Sequence, residues 1–148
     1  MHAHLLMLLT VIINTVLCSA AVLVHYEAFI QISNLINRLK CRHRLRVLIT
    51  VACALCAHIV EIWFFAFGYY FLLMTKQFGD LQGNFDGSLL DCSYFSFTTY
   101  SSLGLGDVEP LGNIRFLAGL ESITGLVLIS WTASFVYIEM QRYWRESH

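Results

Sequence analysis

Thr98-Thr99-Tyr100-Ser101-Ser102-Leu103-Gly104-Leu105-Gly106-Asp107 is the stretch on which the reading of this chain turns. Two glycines one residue apart follow a run of hydroxyl side chains and precede an aspartate. Glycine takes left-handed backbone conformations at little steric cost. Alternating such positions with ordinary ones lets successive carbonyls face the same way, with Leu103 and Leu105 pointing away into packing and Ser102 adding a side-chain oxygen at the inner end. Oxygens aligned in this way can replace the water around a dehydrated cation. One copy supplies one line of oxygens, so surrounding an ion requires several copies.

The rest of the chain is built for lipid. Its 148 residues are 57% hydrophobic and 13% charged, with mean hydropathy +0.65, whereas a soluble domain carries roughly 25% charged residues. A formal net charge of -1 gives no reason to expect nucleic acid. Three runs reach the ~20 apolar residues that a helix needs to cross a bilayer: about Leu5 to Val24, with Asn14 its main polar interruption, about Val47 to Met74, and about Phe116 to Ile138. No glycine occurs before Gly68 and the only proline is Pro110, so long unbroken helices fit the first half. The first run lacks the basic start of a signal peptide and is too long for one, so it reads as a retained transmembrane helix.

Charge sets the topology. Arg38, Lys40, Arg42, Arg44 and Arg46 lie between the first two runs, and Arg142 and Arg145 follow the third. These seven of the nine Lys/Arg residues belong on the cytoplasmic side. Asp80, Asp86, Asp91, Asp107 and Glu109 face the other side, which places the amino terminus outside and the carboxy terminus in the cytoplasm. The first basic cluster also suits anionic lipid headgroups. The stretch before it, with Phe29, Ile32, Leu35, Ile36 and Leu39 at helical spacing, is either an interfacial amphipathic helix or a continuation of the first span.

Between the second and third runs the chain returns to apolar territory without crossing. Residues 79–87 are polar and turn-rich. Ser88-Leu89-Leu90-Asp91 reads as a helix start, a hydroxyl cap with an acid three residues on. The helix it opens is too short to span, so it must dip and stop. Irregular backbone at membrane depth is tolerated only where protein or a water-filled cavity surrounds it, so the Gly104 region has to line something wet. The carboxy end of the dipping helix would carry a partial negative charge toward that place.

At this point the sequence resembles the potassium-channel pore domain. Tyr94 to Asp107 matches the family's pore helix and signature filter, usually T-V-G-Y-G-D at its end, and the resemblance covers about residues 47 to 142. It implies an all-α membrane protein of three transmembrane helices plus a re-entrant pore helix and filter loop, assembled as a homotetramer in a lipid bilayer, with a bacterial inner (plasma) membrane as the expected setting. Residues 1–46 then form an additional transmembrane helix and a basic cytoplasmic connector. Residues 47–148 form the pore domain: outer helix about 47–75, pore helix about 89–101, filter 102–107 and inner helix about 114–140. The carbonyls of Ser102, Leu103, Gly104 and Leu105 would coordinate potassium, with Gly106 completing the filter and no other cofactor. Asp107 follows the filter as in the family. Gly125 lies where the family carries its gating glycine, and close helix packing explains it equally well.

Several positions depart from the family pattern. Leu105 replaces the usual tyrosine, which hydrogen-bonds behind the filter, so a weakly selective monovalent cation channel is an alternative. Thr98 stands where several members place a glutamate behind the filter, a role that Glu121 on the third span is expected to take over. His58 and Glu61 lie on one helical face, either as a proton-sensitive pair or as a neutral pair packed against the first span. A membrane metal or redox enzyme using His58, Glu61, Cys53 and Cys56 lacks a second ligand group, and the chain is read as a non-enzyme. A non-conducting scaffold would leave the 98–107 stretch unexplained. Of the five cysteines, Cys92 alone is placed outside the membrane.

Overall fold

The computed structural model describes residues 2–38 and 43–146, with no account of the side chains of residues 2, 3, 43 and 142–146. Lys40, Cys41 and Arg42 of the basic connector lie outside the described residues. Six elements follow one another: α1 (His2–Arg38), α2 (His43–Thr75), β1 (Gly79–Gly83), α3 (Leu89–Tyr100), β2 (Val108–Gly112) and α4 (Ile114–Glu146).

Three of the helices are long and apolar enough to cross a membrane. At 1.5 Å per residue α1 is about 55 Å long and α2 and α4 about 50 Å each, well beyond a hydrocarbon core of about 30 Å. The segment from Phe29 to Leu39 had two readings. Its described part, to Arg38, is a straight continuation of α1, because no helix breaker interrupts it. Arg46, at the start of α2, donates from Nη2 to the Ile36 carbonyl at 2.6 Å, satisfying one of the acceptors that the end of α1 leaves open.

α2 is the centre of the packing and touches α1, α3 and α4. Ile62, Phe65, Ala66 and Tyr69 of α2 are buried with Cys92 and Phe95 of α3 and Leu117 and Leu128 of α4. Cys92, placed outside the membrane from the sequence, is fully buried in this core. The outer faces of the long helices carry large apolar side chains such as Leu8, Leu23, Phe116 and Ile123, each at least 60% exposed. Water would not leave so much apolar surface open over three helices.

Residues 79–87, read as a turn-rich loop, contain a strand, so the chain is not wholly helical. β1 pairs antiparallel with β2, from Gly79 opposite Gly112 to Gly83 opposite Val108. Asn84 N–H donates to the Asp107 carbonyl at 2.8 Å, extending the pairing by one step. The two strands close the base of the excursion that carries α3 and the Ser102–Asp107 segment. Neither strand has an alternating apolar pattern, which is why pattern reading passed over them.

The start of α3 uses the expected residues with a different partner. The Ser88 hydroxyl accepts from Asp91 N–H at 3.1 Å. The reciprocal bond comes from Asp86, whose Oδ1 accepts from Ser88 N–H at 2.7 Å, while Asp91 Oδ2 accepts from Asp86 N–H at 2.8 Å. Asp86 thus takes the role that the sequence gave to Asp91.

Candidate functional site

α3 is 12 residues, about 18 Å, and too short to cross a bilayer. It ends at Tyr100, and the chain then changes character. Ser102 has φ +57°, Gly104 +52° and Gly106 +78°, whereas Leu103 and Leu105 have no positive φ. Left-handed and ordinary residues therefore alternate over five positions. The sequence pointed to two of the left-handed residues. Ser102 is the third, and for a residue with a Cβ this conformation is uncommon. A Cβ added at Gly104 or Gly106 would meet nothing within 4 Å, so glycine is demanded there by conformation rather than by space.

Both ends of this segment are tied to α3. At the inner end the Thr98 carbonyl accepts from Leu103 N–H at 2.9 Å and from Gly104 N–H at 3.2 Å. Thr98 thus acts through its backbone, while its hydroxyl bonds the Phe95 carbonyl. At the outer end Tyr94, one α3 face earlier, donates its hydroxyl to Asp107 Oδ2 at 2.7 Å. The hydroxyl of Ser102 lies 3.0 Å from that of Ser122 on α4. Leu103 and Leu105 are 63% and 59% exposed and line an apolar groove of about 620 Å³ together with Tyr94, Phe97 and Ile129.

Behind α3 two buried carboxylates hold it in place. Glu121 on α4 is fully buried and accepts from Tyr69 of α2 at 2.5 Å and from the Ser96 hydroxyl of α3. Its grip is on the middle of α3, two residues before Thr98, and not on the Ser102–Asp107 segment itself. Glu61 on α2 is equally buried and accepts from the Tyr100 hydroxyl at the end of α3. It also meets His25 Nδ1 of α1 at 2.8 Å and His58 Nδ1 at 3.1 Å. The His58–Glu61 pair therefore packs against the first span as one of its two readings required, within a larger cluster. Sequence reasoning missed His25, Tyr100, Tyr69 and Ser96, because nothing local brings residues 25, 61 and 100 together. One ligand atom from each of His25, His58 and Glu61 lies within 4.8 Å of the others, close enough to hold a metal ion.

Gly125 lies against the end of α3. A Cβ there would sit 2.1 Å from the Tyr100 carbonyl oxygen, and α4 runs through this position without interruption. The close-packing reading of Gly125 has a contact to account for it. The cysteines Cys53 and Cys56 of α2 are free and take no part in the His25–His58–Glu61 cluster.

The arrangement is a short helix and an alternating-handed backbone, held between membrane-length helices and anchored at both ends. Comparison with known proteins gives the same class. No curated protein and no solved structure matches the chain. A family model described as ion channel matches residues 57–142, which is more than half of the sequence and contains α3, the alternating segment and most of α4. The chain is thus an integral membrane protein belonging to the two-transmembrane ion-channel family of the potassium-channel pore superfamily.

Proposed function

We propose that four copies of this chain assemble around a common axis as a passive, potassium-selective channel. The carbonyls of Ser102, Leu103, Gly104 and Leu105 form successive oxygen rings around the ion, with Gly106 and Asp107 at the outer mouth. The observation that carries this reading is the alternation of backbone handedness from Ser102 to Gly106. A chain that alternates in this way turns successive peptide oxygens to one side, as replacement of an ion's water shell requires. α3 dips into the membrane from outside, and its carboxy end adds a favourable partial charge for a cation. The apolar groove beside Leu103 and Leu105 is where a neighbouring copy packs.

The amino terminus is outside and the carboxy terminus cytoplasmic, in a bacterial inner membrane. Arg38, Lys40, Arg42, Arg44 and Arg46 then face anionic headgroups of the inner leaflet. No cofactor beyond permeant potassium is needed. Thr98, Asp107 and Glu121 support the filter through α3.

Leu105 motivates a second reading, a weakly selective monovalent cation channel. A leucine side chain offers no hydrogen bond behind the filter, and each such bond is worth about 1 kcal/mol. Flux from liposomes holding opposed potassium and sodium gradients separates the two. Rapid potassium flux with slow sodium flux is the expected result. Equal rates would establish the weakly selective channel, and no flux from a purified tetramer would reject both.

A further inference from the structure

Where α1, α2 and the end of α3 meet, four side chains with metal-ligating atoms converge. We propose that His25, His58, Glu61 and Tyr100 form a closed site for a divalent transition-metal ion, zinc above all, which staples α1 to the carboxy-terminal end of α3. The proposal is independent of which ion the pore conducts.

Spacing comes first. Glu61 Oε1 is 2.8 Å from His25 Nδ1, Glu61 Oε2 is 3.1 Å from His58 Nδ1, and His58 Nδ1 is 3.0 Å from the Tyr100 hydroxyl, which also bonds Glu61 Oε2. A tetrahedral zinc ion with ligands at about 2.0–2.1 Å sets neighbouring ligand atoms about 3.3 Å apart. The two histidine contacts to Glu61 therefore have to open by a few tenths of an ångström to admit the ion, and the shorter Tyr100–Glu61 contact by more.

Orientation agrees. His58 Nε2 lies 2.8 Å from Thr132 Oγ1, so an Nε2–H donating to that hydroxyl leaves the Nδ1 lone pair facing the cluster. An outer hydrogen bond of this kind fixes the ring of a metal-binding histidine. His25 adds a second observation. Its contact to Glu61 places its proton on Nδ1, which leaves Nε2 a buried lone pair with no hydrogen-bond partner. A metal on Nδ1 moves that proton to Nε2. The ring stands 5.2 Å from Trp131 between centroids and is tilted 51° to it, and an aromatic face accepts an N–H weakly. The metal-bound tautomer thus replaces an orphaned acceptor with a donor among rings.

Charge then selects the ion. Two neutral imidazoles, one carboxylate and one phenolate cancel the charge of a divalent cation, and a neutral complex is the form that a low-dielectric site tolerates. The ion enters, the Tyr100 hydroxyl proton leaves to water, and no electron moves. Nitrogen and oxygen donors without a thiolate suit zinc, and four filled positions leave no place for a reactive water, so the site is structural or regulatory rather than catalytic. The His58 side chain, 12% exposed, borders the groove that Tyr100 and Thr132 also line, so the ion has access before a neighbouring copy covers that groove.

The test uses the full chain in detergent, stripped of metal, with His2, His4, His43 and His148 changed to Gln to silence the other histidines. Cobalt is titrated as the spectroscopic probe and zinc as the competitor. The expected result is one tetrahedral cobalt per chain by its intense visible bands, displaced by zinc, with one proton released per ion in a dye assay. His25→Gln, His58→Gln, Glu61→Gln and Tyr100→Phe should each weaken binding by on the order of 100-fold or more, and Thr132→Val by roughly 10-fold. Tyr100→Phe should also abolish the proton release. No tetrahedral cobalt at millimolar metal would overturn the proposal, and that titration needs no change in the core. Binding that survives both Glu61→Gln and Tyr100→Phe unchanged would also overturn it.

Discussion

Gly125→Ala tests whether α4 is held against the end of α3 or bends at this point. A Cβ at residue 125 falls 2.1 Å from the Tyr100 carbonyl oxygen, and contacts under 3.0 Å are essentially never made by real Cβ atoms. α4 or the end of α3 must therefore move by about 1 Å. Overpacking a well-filled contact costs about 1–3 kcal/mol, and helix propensity returns about 1 kcal/mol of that for alanine over glycine. The net expectation is a loss of up to about 2 kcal/mol per chain, repeated in each copy of the proposed tetramer. Gly119 on the same helix is the internal control, because a Cβ there meets nothing within 4 Å of its own chain. Gly119→Ala should be neutral or stabilising by up to about 1 kcal/mol. The assay is thermal unfolding of the purified assembly in detergent, with potassium flux measured in parallel. Lowered melting and reduced potassium selectivity are expected for Gly125→Ala, since the strain reaches Tyr100 two residues before the filter. Equal melting of the two variants, with altered open time for Gly125→Ala alone, would refute the packing argument and make Gly125 a hinge. A loss at Gly119 instead would place a neighbouring copy's helix against it.

Glu121→Ala strips the Tyr69 hydroxyl of its buried acceptor, at about 1–3 kcal/mol, while the Ser96 hydroxyl keeps the Ile62 carbonyl at 2.9 Å. Glu121→Gln keeps an acceptor and supplies a donor, so it should melt nearer the parent than Glu121→Ala does. Tyr94→Phe removes the 2.7 Å bond to Asp107, which should lower the potassium-to-sodium flux ratio. Ser88, through its hydroxyl and its N–H, holds the Asp86 carboxyl below the usual carboxylate range. The lowered group stabilises the start of α3 at and above the ordinary carboxylate range, and this is lost as pH falls through its own depressed value. Protection of the amides of residues 88–92, measured against their intrinsic exchange rate at each pH, should therefore fall at acid pH, and Asp86→Asn should flatten that dependence. Equal slopes in the two proteins would remove Asp86 from the cap.

Apolar length made the three long helices readable, because about 20 residues without a breaker leave few other structures in lipid. The Ser88 cap and the short helix after it were equally local and equally legible. The pairing of β1 with β2 was hidden. Gly79 and Val108 are far apart in sequence, and their strands offer three glycine ends and one proline in place of an apolar rhythm. The glycines announced two of the three left-handed positions, while Ser102 gave no sign because a serine ordinarily avoids that conformation. Glu121 could be singled out as a carboxylate in an apolar run, but its partners could not be named. His25 stood in an apolar helix with nothing nearby to explain it, and only the packing of α1 on α2 brings it to Glu61.

The strand pair at the base of the excursion has a mechanical meaning. With Gly83 bonded to Val108, and Asn84 to Asp107, a pull along the main chain from α2 or α4 is taken up by that ladder before it reaches residue 102. Tilting of the long helices is thus felt sideways, through the Ser102–Ser122 hydroxyls, the Gly125–Tyr100 contact and the bonds of Glu61 and Glu121 to α3. Lipid tension or a gating stimulus arriving on the helices would then act as a lateral squeeze on the loop and not as a tug on its ends.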